Sequence, residues 1–473
     1  MVIGTTIVNI ADKLNKVVFI KDISSFANKK DYETYAVGGF VRDLILGRNR
    51  NEIDFVIVGD GPKFAEELAK ELGVDNVNTY KNFGTAHFRL NDFDLEFVGA
   101  RKESYNRDSR KPIVESATLD EDLSRRDFTI NTLAVSLAKK NFGDIIDIFN
   151  GLEDLEKKII KTPLDPMITF NDDPLRIMRA FRFASQLQFS VDEKIIETAK
   201  NLKERLKIVS QERITTEFFK ILESPKPSVG LMLLYQSEIL EVVFPEIAIM
   251  SGVDQIKDHH HKDVMLHTFE VVDNISEATE DVWLRFAALV HDIAKPQTKK
   301  FDENVGWTFH GHEELGARMM KSIFKRMKLP MNKLSYIEKL IRLHLRPIAL
   351  VDDTVTDSAI RRLIVQAGED LEDLITLCRA DITSKNPKKV SRYLNNYERV
   401  MEKVREVEEK DKLRAFQSPV RGDEIMEICN IPPSKKVGEI KSAIEEAILE
   451  GIIKNDYNEA LDYLYKIKDN FLK

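Results

Sequence analysis

Two acidic residues one position apart, Glu52 and Asp54, lie in the run EIDFVIV, shortly after the glycine pair Gly38-Gly39. Ile53, Phe55 and Ile57 alternate with them, which is the period of a strand with one buried face, so both carboxylates share the other face. Two adjacent carboxylates can hold Mg2+, and glycines entering a helix let backbone N–H groups approach a phosphate. Taken alone, the segment reads equally well as a glycine turn and two solvated acids on an edge strand. A second acidic alternation follows in Asp92–Val98, where Asp94 and Glu96 share a face. If that strand pairs beside the first, a third carboxylate joins the pair, and such a cluster repels itself unless a cation is held.

Two further runs carry opposite charges at informative spacing. In DLSRRDFTINTLAV (122–135), Arg125, Arg126 and Asp127 precede an apolar segment. The arginines suit a triphosphate or an RNA phosphate, while a capped helix with Asp127 or Thr129 near its start explains the same residues structurally. In NDDPLRIMRAFRFA (171–184), Pro174 fits the first helical position and Asp173 the N-cap. Arg176 and Arg179 follow at i+3 spacing, on one side of the helix. An Asp acceptor beside an Arg donor matches an amino group next to an unprotonated ring nitrogen. Cytosine and adenine present that pair on their Watson–Crick edges; guanine and uracil present it reversed. Such a pair selects CTP and ATP without a nucleic-acid template.

Eight of the nine histidines fall between His259 and His344. Adjacent His291-Asp292, with His267, His312, His344 and Asp381 from other helices, can build one or two sites for a divalent transition metal. A single histidine here is more simply a surface or hydrogen-bonded residue; the whole set is harder to explain that way.

The elements that must position these groups follow the same patterning. Tyr35–Val58 reads as strand, glycine pair, short helix, turn and strand. An introductory helix with Ile7, Ile10, Leu14 and Val18 on one face precedes it, followed by a polar linker to residue 34. Pro62–Leu72 reads as an amphipathic helix and Thr79–Leu90 as one strand, with the turn Asn91-Asp92 after it. Residues 388–412 read as a charged helix with Val390, Tyr393, Leu394 and Tyr397 on one face. Pro432-Pro433 then turns the chain into a last amphipathic segment.

At 473 residues, 43% hydrophobic and 32% charged, the chain reads as an ordered multidomain protein. The longest apolar runs fall short of a membrane span and the N-terminus lacks a signal-peptide pattern, so the expected location is cytoplasmic, with no membrane contact. Two cysteines, Cys378 and Cys429, cannot build a disulfide framework. The net charge of −8 conceals basic clusters at Arg42-Arg48-Arg50, Lys200–Lys207, Lys299-Lys300, Lys321–Lys333 and Lys385–Arg405, which are compatible with RNA.

The strings GGFVRD, EID, LEFVGARKESY, RRDFTINTLAV, DDPLRIMRAFRFA and SQERITTEFFKIL occur in the order found in the class II tRNA nucleotidyltransferase and bacterial poly(A) polymerase family. The resemblance is specific over roughly residues 30–225 and looser beyond. It implies an α+β chain, with a mixed-sheet polymerase-beta-like nucleotidyltransferase head at 1–150. A helical neck that recognises the base (151–225), an HD body (226–390) and a helical, tRNA-binding tail (391–473) follow, all α.

By this resemblance Glu52 and Asp54 stand at the metal-binding pair, with Glu96 as third carboxylate, together catalytic and holding Mg2+. Gly38, Gly39 and Arg42 lie in the triphosphate loop. Arg125, Arg126 and Asp127 form the arginine motif, Asp173 and Arg176 read the incoming base, and Arg179 completes the nucleotide-binding set. Two departures are Glu52, where the family usually has Asp, and Asp172, which replaces a frequent Glu.

The implied reaction is two-metal phosphoryl transfer from CTP and ATP to the 3′ end of tRNA, forming CCA. A poly(A) polymerase or A-adding enzyme shares the same motifs, and an inactive RNA-binding scaffold is a distant alternative. A guanosine-tetraphosphate synthetase-hydrolase would carry the HD domain first. The histidine-rich region resembles the HD phosphohydrolases: His267, His291, Asp292 and Asp381 match the four-residue core, and His312 and His344 the accessory positions. Lys295 stands where it can contact phosphate. This implies a second activity on phosphomonoesters or 2′,3′-cyclic phosphates with Ni2+, Mn2+ or Co2+. The oligomeric state stays open.

Overall fold

The acidic alternation becomes two neighbouring strands. In the computed structural model, β1 (Glu33–Val37) pairs antiparallel with β2 (Glu52–Val58), across the turn containing α2 (Gly39–Ile45). A helix on the preceding segment, α1 (Ile20–Lys29), and α3 (Gly61–Glu71) flank them. Next come β3 (Asn78–Tyr80), β4 (Thr85–Leu90) and β5 (Phe93–Gly99), and later β6 (Ala134–Ser136) and β7 (Ile145–Ile146). One seven-stranded sheet results, in the order β3-β4-β5-β2-β1-β6-β7, antiparallel except for β2 beside β5. The described residues are 8–80, 84–104, 113–253, 263–304, 306–351, 355–411 and 418–472.

The register of β2 on β5 sets Glu52 opposite Asp94 and Asp54 opposite Glu96. Ile53, Phe55, Leu95 and Phe97 fill the other face and are fully buried. Phe55 stacks on Phe97 at 4.9 Å, and Phe97 on Phe88 at 5.1 Å. Each such ring contributes about 1.5–3 kcal/mol through burial, and a slip of one residue would exchange the rings for carboxylates. The hydrophobic face therefore fixes which acids meet.

Three local readings are corrected. Thr79–Leu90 is a hairpin rather than one strand, with Asn78 opposite His87 and Gly84 at φ 59°. The main introductory helix is Ile20–Lys29, in the stretch that reads as a polar linker, because Ile20, Ile23, Phe26 and Ala27 supply one buried face. Ile10 and Leu14 are buried as expected, but Val18 is 82% exposed, and Ile7 lies outside the described residues.

The chain divides into two compact units, Met1–Pro245 and Glu246–Lys473. The first also contains α4 (Leu119–Ser124), α5 (Leu175–Leu187), α6 (Gln211–Leu222) and α7 (Pro227–Gln236). Helices α5 and α7 meet closely at Gly230, where a Cβ would lie 2.6 Å from Ser185 Oγ and 2.8 Å from an Ile221 side-chain carbon. Arg182 and Glu217 form a buried ion pair there at 3.0 Å.

The second unit is mainly helical: α8 (Val264–Ala278), α9 (Val282–Val290), α10 (His312–Arg326), α11 (Leu334–Leu343), α12 (Leu371–Ala380) and α13 (Pro387–Asp411). A two-stranded ribbon, β8 (Lys300–Asp302) with β9 (Gly306–Thr308), interrupts it. On α13 the buried stripe is Tyr397, Val400, Met401, Val404 and Val407, so the expected face is displaced toward the C-terminus and Leu394 is exposed. The closing helices α14 (Gly422–Cys429), α15 (Lys435–Leu449) and α16 (Tyr457–Leu472) share a core of Val420, Ile425, Ile440, Ile444, Ala460 and Leu464. No described helix is long and apolar enough to cross a membrane.

Candidate active site and metal centre

In the first unit the glycine pair, the carboxylates and the arginine motif come together around Gly38. Its φ of 74° is a conformation that glycine adopts freely. A Cβ at this position would lie 3.1 Å from Arg126 Nη1 and 3.5 Å from Asp54 Oδ2, so the loop passes close to both a guanidinium and a carboxylate. At Gly39 a Cβ would meet Arg50 Nη1 at 2.8 Å. Burial pushes the Asp54 carboxyl above its usual range, against the pull of Arg126 and Arg50. Glu96 is raised as well, by desolvation first and then by the charge of Asp54, although the residue is exposed at the surface.

Glu52 is mostly exposed and accepts a 2.7 Å hydrogen bond from Arg50 Nη2, whose other nitrogen lies 3.3 Å from Asp43. That pairing draws Glu52 aside. Among the described residues, the sets of three ligand atoms that lie within 4.8 Å of one another are both in the second unit.

The arginine motif is anchored from beneath by Asp122, a residue absent from the candidate set. Its fully buried carboxylate accepts from Arg125 at 2.7 Å and from Arg126 at 3.1 Å. Burial acts to raise Asp122, but the two guanidinium charges outweigh it and hold the carboxyl below its usual range. The signal was present as i+3 and i+4 spacing on α4.

Asp127 is neither a helix cap nor exposed. It accepts from Arg179 Nε at 2.8 Å and Asn131 Nδ2 at 2.9 Å, and these partners overcome burial to bring its pKa down to about 2. Asn131 also accepts from Arg42 Nη1 at 2.8 Å. Arg42 is itself buried, with Nε and Nη2 each 2.8 Å from Asp43. Its guanidinium thus braces α2 from within the protein.

Asp173 caps α5 as expected, its Oδ1 accepting from Leu175 N at 3.0 Å. Arg176 Nη2 donates to the Arg125 carbonyl at 2.7 Å, so α5 and the arginine motif are directly joined.

In the second unit, the six candidate histidines and aspartates converge. His267, His291 and Asp381 form one group and Asp292, His312 and His344 another. His267 Nε2 lies 2.8 Å from Asp381, His291 Nε2 3.2 Å from Asp292 and 3.4 Å from Asp381, and His312 Nε2 3.3 Å from Asp292. The opposite ring nitrogens are tied down: His291, His312 and His344 Nδ1 lie 2.7 Å from the carbonyls of Ala288, Phe309 and Ile341, and His267 Nδ1 lies 2.8 Å from Thr383 Oγ1. This sets Nε2 as the atom presented inward.

The buried His291 Nε2 has no hydrogen-bond partner of good geometry, a condition that coordination to a cation would relieve. Burial acts to lower His291, but Asp292 and Asp381 pull it up to about 10, while burial drives His344 down to about 4. The carboxylates therefore draw in positive charge, and Lys295 Nζ lies 2.6 Å from Asp292. His259, His260 and His261 lie outside the described residues; His310 is exposed and outside both groups.

Comparison with known proteins finds three family models: "Poly A polymerase head domain" over residues 34–161, "Probable RNA and SrmB- binding site of polymerase A" over 188–250, and "HD domain" over 264–386. The multifunctional CCA protein of Legionella pneumophila (strain Paris) is 31% identical over 379 residues, covering 74% of this chain and 85% of that one. The A-adding tRNA nucleotidyltransferase of Aquifex aeolicus is 37% identical over 274 residues, 57% of this chain and 32% of its own length. The match to Lactobacillus helveticus CCA-adding enzyme covers 56% of that protein, so the chain spans about a third to just over half of these two relatives.

Among solved structures, a CCA-adding enzyme in apo form I aligns over 98% of both chains with a TM-score of 0.65 at 22% identity. A tRNA nucleotidyltransferase complexed with a primer tRNA and an incoming ATP analog aligns over 80% of this chain and 99% of its own, with a TM-score of 0.57 at 25% identity.

Proposed function

Since this chain belongs to the tRNA nucleotidyltransferase and poly(A) polymerase family, we propose that it adds CCA to tRNA 3′ ends from CTP and ATP without a nucleic-acid template. The observation that carries the reading is the β2–β5 register, which sets Asp54 opposite Glu96 beside a glycine loop flanked by Arg126.

Glu52, Asp54 and Glu96 offer oxygen donors alone, which fits Mg2+, and they would hold it at the head. Bound there, the ion supplies charge neutralisation to the attacking 3′-oxygen and the triphosphate. Gly38 and Gly39 give the phosphates access to the backbone. Arg125 and Arg126 face them as a fixed pair because Asp122 holds both. Asp127 keeps Arg179 and Asn131 in place, and Arg42 braces the glycine loop through Asn131 and Asp43. Asp173 and Arg176 present the acceptor and donor that cytosine and adenine match.

Incubation of tRNA lacking its last three nucleotides with CTP alone tests this: addition stops after two C. No addition from CTP, with a single A added once ATP is supplied to tRNA already ending in CC, would favour the second reading. That reading is an A-adding enzyme, and it has specific support in the Aquifex aeolicus relative.

The second unit is proposed as a metal-dependent phosphohydrolase. Four imidazoles and two carboxylates fit a divalent transition metal such as Ni2+, Mn2+ or Co2+, which would be held by His267, His291, Asp292 and Asp381 with His312 and His344 beside it. In hydrolysis of a phosphomonoester, a water oxygen bonds to phosphorus, the ester P–O bond breaks, and the departing oxygen takes a proton. Release of phosphate or opening of a 2′,3′-cyclic phosphate is the assay. The partition into head (1–150), neck (151–225), HD body (226–390) and tail (391–473) is part of the same proposal, and the matched stretches support the order of head before HD body. Two buried free cysteines fit a reducing cytoplasm.

A further inference from the structure

The ribbon β8–β9 connects two parts of the histidine–aspartate centre in the chain, with Asp292 and Lys295 before it and His312 after it. Phe301 and Trp307 stand opposite each other in its register and pack edge to face at 5.1 Å. Both remain open to solvent, at 50% and 37% exposure. A cross-strand aromatic pair stabilises a two-stranded ribbon, but that role alone does not require two large rings at the surface. Lys299 Nζ sits 4.3 Å from the Trp307 ring centre, and Lys300 is exposed on the next residue. Asp302 and Glu303 lie toward the ribbon tip.

A short chain of contacts leads inward. Phe309, two residues beyond Trp307, accepts from His312 Nδ1 through its carbonyl at 2.7 Å. Its ring lies 5.6 Å from Lys295 Nζ, the ammonium that touches Asp292 at 2.6 Å.

We propose that the β8–β9 ribbon is a stacking platform for the terminal base of an RNA 3′ end, delivering the end phosphate to the histidine–aspartate centre. The proposal rests on the hydrolase reading and names its substrate class as a polynucleotide end. Every base has a π-face, so stacking on Trp307 accepts any terminal nucleotide, while Lys299, beside the indole, and exposed Lys300 supply positive charge for the backbone phosphates. A small phosphomonoester has no base to place there.

The chain has two tryptophans, so Trp283→Phe leaves Trp307 as the sole indole. Titrating that variant with a single-stranded oligoribonucleotide bearing a 3′-phosphate quenches its fluorescence if the base stacks. In otherwise native enzyme, Trp307→Leu raises KM for RNA ending in a 2′,3′-cyclic phosphate by roughly 5- to 100-fold, the range expected for one stacked base. Hydrolysis of p-nitrophenyl phosphate is unchanged, and Trp307→Phe recovers most of the loss. An unaltered KM for the RNA, or equal losses on both substrates, overturns the platform. If the native enzyme hydrolyses neither substrate, the hydrolase reading falls, and the quench alone then decides: its absence ends the platform too.

Discussion

Asp54 is the residue on which the proposed head reaction depends most directly. It is opposite Glu96, close to Arg126 and raised by burial, so it couples the sheet to the glycine loop. Asp54→Asn is expected to lower nucleotide addition by about a thousandfold or more, the scale of losing electrostatic stabilisation at a phosphoryl-transfer site, while the melting temperature stays within a few degrees. Labelled CTP incorporation and a thermal melt check both halves. Glu52 behaves differently because it is exposed and held by Arg50. Glu52→Gln should raise the Mg2+ concentration giving half-maximal rate; an unchanged metal dependence would remove Glu52 from the ligand set.

At the element scale, the arginine motif is tied to α5 by Asp127–Arg179 and by Arg176 to the Arg125 carbonyl. Arg179→Met leaves a buried carboxylate without its cation and is expected to cost about 2–3 kcal/mol, less than a fully buried pair because Arg179 is a third exposed. The folded Asp127 pKa of about 2 lies below the ordinary aspartate value of 3.8, so its contribution is present above the unfolded value and lost as pH falls through the folded one. Native protein should therefore lose about 2 kcal/mol between pH 5 and pH 1 that Asp127→Asn does not lose, read by denaturant melts across that range.

These ties show what the sequence made legible. Alternation fixed the faces of β2 and β5, and Pro174 marked Asp173 as a cap, because both signals are local. The burial of Arg42, the pairing of Arg50 with Glu52 and the bridge through Asn131 were not legible, since each depends on residues that only the fold brings together. The β8–β9 ribbon escaped for another reason: its strands are three residues each, too short to establish a period within a helical stretch.

Across the whole molecule, the two proposed activities fall in different compact units, and both histidine–aspartate groups lie in the second. His291→Ala should abolish phosphohydrolase activity and reduce bound transition metal, measured by mass spectrometry after desalting. CTP and ATP incorporation should remain within about twofold, since His291 and the head carboxylates belong to different compact units. A parallel collapse of both activities would mean that the two chemistries are coupled.

Three of the four inward-facing histidine rings take their orientation from a main-chain carbonyl three residues earlier, which no amino-acid substitution at that position can delete. His267 alone leans on a side chain, Thr383. Mutation can thus reach the alignment of this ring more easily than the others, and Thr383 becomes the position through which descendants of this protein could retune the proposed metal site without replacing one of its six histidines and aspartates.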